Sequence, residues 1–345
     1  MSKDKRIWAA GIAAALMAGM LAGCGGTNSS GSAQSGDSSA GAGGTGDKNI
    51  TLCLSTRDEW LSTLATAAID TGKENGYEII VQDCENDVNK QIQYVETVRN
   101  SGADVVIVNL VNFELAEEVI KAAGDMKVVF VNRMPTDPAL MDANHVYVGS
   151  DESEAGRLQS EYLAQYFKDK NQDSVNYILL SGDLGMPSTT KRTDSALQGL
   201  KDAGLKSAPA TADLVCEWSR EVAIDKVMPV LTQGVDFDCI IANNDAMALG
   251  AVEALEMSKR NPGDIPIVGI DSTLDALQAI EEGKMAMSAF QNANGQGSNA
   301  VKAAINLMEN KAFNDGCDFE LDSNNEFAMY IPFEMVTKEN VADYK

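Results

Sequence analysis

The stretch Cys239-Ile240-Ile241-Ala242-Asn243-Asn244-Asp245 constrains this chain more than any other. Its apolar run stops abruptly at three polar residues, and a helical pattern of Met247, Leu249, Val252 and Leu255 follows at once. That order predicts a buried strand, a polar tip and a helix capped by Asn244 or Asp245. In a parallel α/β sheet, ligands bind just beyond the carboxyl ends of the strands. The side chains of Asn244 and Asp245 are therefore either offered to a ligand or used up by the cap.

The same unit recurs along the chain. Short apolar runs such as Ile50 to Leu54, Val105 to Val108 and Val128 to Val131 alternate with amphipathic stretches such as Asn86 to Asn100 and Phe113 to Ala123. The alternation restarts after Gly149, with a long helical pattern from Glu154 and further strands at Val175 to Leu180, weakly at Ala212 to Cys216, and at Ile265 to Ile270. Repeated βα units joined by short loops predict an α/β fold: two Rossmann-like lobes with parallel sheets. Each lobe turns its strand tips toward a shared cleft.

The first residues stand apart from this pattern. Lys3, Lys5 and Arg6 precede an apolar, Ala-rich stretch from Ile7 to Met20, and Leu21-Ala22-Gly23-Cys24 closes it. This is the build of a secretion signal over residues 1–23, with an apolar core too short for a comfortable transmembrane helix. Its ending resembles a bacterial lipobox, which makes Cys24 the expected lipidation site. Gly, Ser, Ala and Thr dominate the residues that follow, up to 47, with no aromatic residue among them. Such a segment is a flexible leash with a mean span of roughly 25–30 Å. Lipid and leash place the body on the outer face of the cell membrane, anchored but not spanning it.

The chain of 345 residues carries 27 Lys and Arg against 51 Asp and Glu, a net charge of −24. That charge repels nucleic acid and offers no basic groove to follow phosphates. With no clustered basic pocket in the sequence, an uncharged ligand fits best. Apart from Cys24, the cysteines at 53, 84, 216, 239 and 317 show no CxxC or Cys/His metal spacing. The single histidine, His145, weakens any triad or zinc hypothesis. After the first strand the chain reads Ser55-Thr56-Arg57-Asp58, not GxGxxG. Paired carboxylates such as Asp58 and Asp271 could imitate a glycosidase site, but there is no nucleophile elbow, and the chain is not expected to be an enzyme. A repressor effector domain would need a helix-turn-helix where the signal and leash stand.

Asp58, Asn132, Arg192, Asn244 and Asp271 all fall at or just after expected strand ends, drawn from both halves. One such residue alone is as readily a cap or turn former. Together they form a kit for fixing sugar hydroxyls: carboxylates accept, amides do both, and a guanidinium donates in a planar fork. A sugar also needs an apolar face to lie against, and Trp60 and Trp218 can supply it.

Beyond these residues, the chain resembles the type 1 periplasmic binding proteins, and among them the galactose/glucose binders of bacterial ABC importers. The resemblance runs from about Lys48 to the C-terminus. It is carried by Ile240 to Leu255, by Val128-Val129-Phe130-Val131-Asn132-Arg133-Met134-Pro135, by Tyr147-Val148-Gly149-Ser150-Asp151 and by Ile267-Val268-Gly269-Ile270-Asp271. It implies a three-crossover hinge near Gly149-Ser150, Phe290-Gln291 and Tyr330-Ile331. The lobes are then residues 48–149 plus 292–330 and residues 150–291 plus 331–345, behind a linker at 24–47. It implies a sugar stacked between Trp60 and Trp218, with polar contacts on Asp58, Asn132, Arg192, Asn244 and Asp271. Three positions depart: Met186 and Ser188 stand for a histidine and an aspartate, and Gln291 for an asparagine. A galactose- or glucose-like hexose is expected, with a related sugar or polyol left open by those departures. The family's calcium loop is not expected here. Asp169-Lys170-Asn171-Gln172-Asp173-Ser174 is short and lacks a glycine, and Asp238 is only one carboxylate. No cofactor is expected. The implied partner is an ABC permease, or a chemoreceptor or sensor kinase, and the implied state is a monomer.

Overall fold

The structure, a computed structural model, describes residues 48–345. The expected signal, the Cys24 lipidation site and the linker lie outside the described residues. The chain begins with β1 (Asn49–Leu54), α1 (Glu59–Glu74), β2 (Glu78–Asp83), α2 (Val88–Asn100), β3 (Val105–Val108), α3 (Ala116–Ala123), β4 (Lys127–Val131) and β5 (His145–Gly149). It continues through α4 (Glu152–Asp169), β6 (Ser174–Ser181), α5 (Pro187–Asp202), β7 (Lys206–Pro209), β8 (Leu214–Val215), α6 (Arg220–Thr232), β9 (Cys239–Ala242), α7 (Asp245–Met257), β10 (Ile267–Asp271), α8 (Leu274–Glu281) and β11 (Met287–Phe290). It ends with α9 (Ala293–Met308), β12 (Leu321–Asp322), β13 (Asn325–Tyr330) and β14 (Glu334–Thr337).

Two sheets result. One has the order β12-β13-β5-β4-β3-β1-β2, and the other β14-β11-β10-β9-β6-β7, with β8 also on β6. Pairing is parallel except at two edges, where β12 meets β13 and β14 meets β11 antiparallel. Helices cover both faces of each sheet, so the inner strands are buried on both sides. That is why Val105–Val108 and Cys239–Ala242 are apolar without alternation, and every residue of both is buried. Each sheet separates two apolar clusters, one per face.

The chain passes between the sheets three times: at residues 150–151 between β5 and α4, at 291–292 between β11 and α9, and at 331–333 between β13 and β14. Gly149 opens the first passage because a Cβ there would collide with the Tyr147 hydroxyl. The passages are tied across: Gln296 of α9 donates to the Ser150 hydroxyl (3.0 Å), and the Phe333 amide donates to Glu154 of α4 (3.0 Å).

Several boundaries differ from the sequence pattern. The helix expected from Asn86 starts at Val88, because Asp87 accepts from the amides of Asn89 and Lys90 and so sets the cap. The stretch from Phe113 opens as a 3-10 turn before α3. The expected strand at Ala212 to Cys216 shrinks to Leu214–Val215, which pairs with the end of β6, while Lys206–Pro209 pairs with its start. The edge strands β12 and β14 have too few apolar residues to announce themselves.

Candidate functional site

Strand tips build this site. Asp58 follows β1 and caps α1, accepting from the Leu61 amide at 2.7 Å. Asn244 follows β9 and caps α7, accepting from the Met247 amide at 3.0 Å and donating to the Trp218 carbonyl at 3.3 Å. Of the two candidate caps, Asn244 holds the position. Asp245 is the first residue of the helix proper and is turned wholly into the interior. There its carboxylate accepts from the Ser288 hydroxyl (2.7 Å) and the Thr273 amide (2.9 Å). Asn132 follows β4 in the left-handed region (φ 64°), its carbonyl accepting from the Tyr147 hydroxyl at 2.8 Å. Asp271 ends β10 with φ 118° and Ser272 follows at 54°, so the turn that carries this carboxylate is strained.

These tips surround one cavity of about 640 Å³, with walls from both sheets. Asp58, Trp60, Asn132, Met186, Ser188, Arg192, Trp218, Asn244, Asp271 and Gln291 all border it. The two indoles are held differently. Trp60 is buried in the core of the first sheet, and its Nε1 donates to the Gln291 carbonyl at 3.0 Å. Trp218 is half-buried on a left-handed residue (φ 62°), and its Nε1 points at the Met186 sulfur at 3.2 Å. Its ring lies close enough to Gly182 that a Cβ there would strike it.

Charge is concentrated on the second wall. Arg192 is 5% exposed, and its Nε donates to Glu152 Oε2 at 2.5 Å. Its other nitrogens donate to the Asn243 carbonyl (2.7 Å) and to Gln291 Oε1 (3.3 Å). Asp271 lies 3.9 Å from the same guanidinium. Burial first, then repulsion from Asp245, Asp58 and Glu152, raise the Asp271 carboxyl well above its usual range, although Arg192 opposes the shift. Burial likewise pushes Asp245 up to about 7. On the first wall Arg133 donates to the Leu110 carbonyl at 2.9 Å and rests 5.8 Å from the Phe113 ring. Burial lowers the Arg133 pKa, against the pull of Asp58, Asp183 and Glu152.

Arg133, Glu152, Asp183, Tyr147 and Tyr330 also border the cavity, and sequence reasoning passed over them as site residues. Arg133 carried a usable signal, since it directly follows Asn132 at a strand tip. Glu152 carried none: an acid in a helix's first turn reads as a surface residue favoured by the helix dipole. Tyr147 and Tyr330, edge to face at 5.9 Å, read as core strand residues. Away from the cavity, Asp238 accepts from Gln172 Nε2 (3.0 Å) and the Asn176 amide (2.6 Å), so both its oxygens are engaged by protein. Among the described residues, no group of three or more His, Cys, Asp and Glu side chains is placed to hold a metal ion.

Comparison with known proteins places this geometry. Residues 50–312 match the periplasmic binding protein domain family. The chain is 30% identical over 301 residues to a protein described as rhizopine-binding from Rhizobium meliloti, covering 87% of this chain and 89% of that one. It is also 30% identical over 319 residues to the D-galactose/methyl-galactoside binding periplasmic protein MglB of Haemophilus influenzae, covering 89% of this chain and 94% of that one. Among solved structures, an ABC transporter solute binding protein from Bacillus halodurans with bound myo-inositol superposes with a TM-score of 0.75 at 28% identity, over 88% of this chain and 98% of that one. The fold, the matched span and these relatives agree, and the chain belongs to the type 1 periplasmic binding protein family.

Proposed function

We propose that this protein is the solute receptor of an ABC importer. It captures an uncharged, polyhydroxylated ring, a hexose or a cyclic polyol, in the cavity between its sheets and hands it to a permease. One observation carries the reading: a single cavity of about 640 Å³ collects two indoles and a set of amide, carboxylate and guanidinium groups from both sheets. Hydroxyls need many short polar partners, and ring C–H faces need flat apolar ones. The relatives support the class, being named for a galactoside or a rhizopine or holding myo-inositol.

The three passages between sheets are the natural hinge. A ligand touching Asp58, Trp60 and Asn132 on one wall and Arg192, Trp218, Asn244 and Asp271 on the other favours the arrangement in which it meets both. No described helix is long and apolar enough to cross a membrane. Lipidation of Cys24 would supply the anchor and hold the receptor near its permease on the outer face. Chemistry on the ligand is not part of this role, and neither a cofactor nor structural calcium is required. The receptor acts as a monomer.

The test is a calorimetric or thermal-shift screen of the purified protein against hexoses, pentoses and cyclic polyols. A ligand at a hundred times its Kd stabilises the folded state by about 2.7 kcal/mol. Indifference to every sugar and polyol offered would refute the role.

A further inference from the structure

Resting on that reading of the cavity, we propose that Glu152 is a ligand-contacting residue that reads a ring hydroxyl from the cavity floor. It does so together with Gln291. Both side chains border the cavity, and both residues are buried, at 8% and 2% exposure.

The two oxygens of Glu152 are unequally used. Oε2 takes the Arg192 Nε at 2.5 Å, a short charge-assisted bond. Oε1 has only the Gln291 amide at 3.4 Å, beyond the ordinary range for such a bond. A carboxylate can accept about four hydrogen bonds. Its second oxygen is thus an unspent acceptor, fixed in direction because Arg192 clamps the first. The Gln291 amide nitrogen beside it is an underused donor. A hydroxyl placed between them can donate to Oε1 and accept from Nε2, which is the pattern a sugar or cyclitol presents.

Other positions on the same wall leave room for this role. The Met186 sulfur already faces the Trp218 Nε1 at 3.2 Å, and Ser188 offers one hydroxyl. Recognition that these positions do not supply falls to the floor. The floor is also where the hinge runs: Glu152 opens α4 just after the first passage, and Gln291 lies on the second. A hydroxyl held there touches the second connection and the first residue of the helix that follows the first connection. Glu152 therefore helps select the ligand and joins its binding to the angle between the walls. A ligand lacking that hydroxyl leaves the charged oxygen without its partner, and sites built this way reject such analogues strongly.

The experiment is titration calorimetry on the full chain, wild type and Glu152→Gln, with D-glucose, D-galactose and myo-inositol, then with monodeoxy analogues of whichever binds. The variant is expected to weaken the binder by about tenfold or more, and its unliganded melting temperature to fall as well, because Arg192 loses the charge of its Glu152 partner and keeps the Asn243 carbonyl and Asp271. For one monodeoxy analogue the variant's loss should vanish or reverse, because the hydroxyl that Glu152 reads is gone and only wild type leaves a charged oxygen unpaired. If the variant matches wild type for every ligand, the inference falls while the receptor role stands. If it weakens all analogues by one common factor, Glu152 only positions Arg192, and the direct contact is refuted. If wild type binds none of the hexoses, pentoses and cyclic polyols of the wider screen, the carbohydrate reading fails and takes the inference with it. Should the variant not fold, Glu152→Asp carries the same comparison, since it keeps the charge and withdraws it by one methylene.

Discussion

The two walls of the cavity share a plan and differ in what lies beneath them. Under the first wall sits Asn109, fully buried, whose oxygen accepts from the Ser55 amide (3.2 Å) and hydroxyl (2.6 Å). Its nitrogen donates to the Val131 carbonyl and to the Asn132 side chain, both at 3.2 Å. Under the second wall sits Asp245, equally buried, holding Ser288 and the strained turn that carries Asp271. Both residues brace strand tips from below. One is a neutral amide and the other an ionisable acid. The first wall is thus an outgrowth of its core, while the second is held together by charges that depend on one another.

The largest consequence concerns the two arginines. Removing Arg192 strips Glu152 and Asp271 of their shared counter-ion inside a buried site. Breaking a buried pair from one side costs about 3–5 kcal/mol. Arg192→Ala should lose roughly that much and all measurable binding. Arg133 leans on a carbonyl and a ring, so Arg133→Ala should cost only about 1–3 kcal/mol. Denaturant midpoints at unchanged slope measure both. Equal losses would erase the distinction between the walls.

The indoles make a second, smaller contrast. Trp60 belongs to the buried core of the first sheet and Trp218 is half-buried. Trp60→Ala should therefore cost about 3–5 kcal/mol of stability. Trp218→Ala should cost clearly less, and show itself chiefly as weakened binding. Melting curves of the unliganded proteins, set beside titrations of the folded variants, separate the two effects. A Trp218 variant less stable than the Trp60 variant would reverse the assignment.

Much of the fold was open to reading because doubly covered parallel strands advertise themselves as unbroken apolar runs. Cys239–Ala242 is the clearest case, and the abrupt Asn-Asn-Asp after it located a strand tip. The edges were not readable: β14 pairs through four residues of mixed polarity, and its antiparallel register depends on a passage between sheets that no local pattern encodes. The site was legible where a polar residue stands at or soon after a strand's end, as at Asn132 and Asp58. It was not legible at Glu152, whose meaning comes from Arg192, 40 residues away in sequence. Nor could spacing distinguish a cap at Asn244 from a buried brace at Asp245. The two are neighbours, and only the turn of the helix sends one side chain outward and the other in.

The gentlest test exchanges the acid brace for the neutral kind found beneath the opposite wall. In Asp245→Asn the amide oxygen can still accept from Thr273 and the amide nitrogen can donate to the Ser288 oxygen, so geometry is nearly conserved. What changes is the response to pH. Burial pushes the Asp245 carboxyl up to about 7, against about 4 in an unfolded chain. Between those values the folded protein retains a proton that the unfolded chain has released, so stability must fall as pH rises through the window. Below about 4 both states are protonated, and the acid costs nothing. Wild type should therefore lose melting temperature from about pH 4 to about pH 7 relative to the asparagine variant. Asp271 and Glu59 repel the Asp245 charge. Both remain in the variant, and the difference between the two curves reports Asp245 together with its effect on them. Parallel curves would mean that the carboxylate beneath the second wall is as silent as the amide beneath the first.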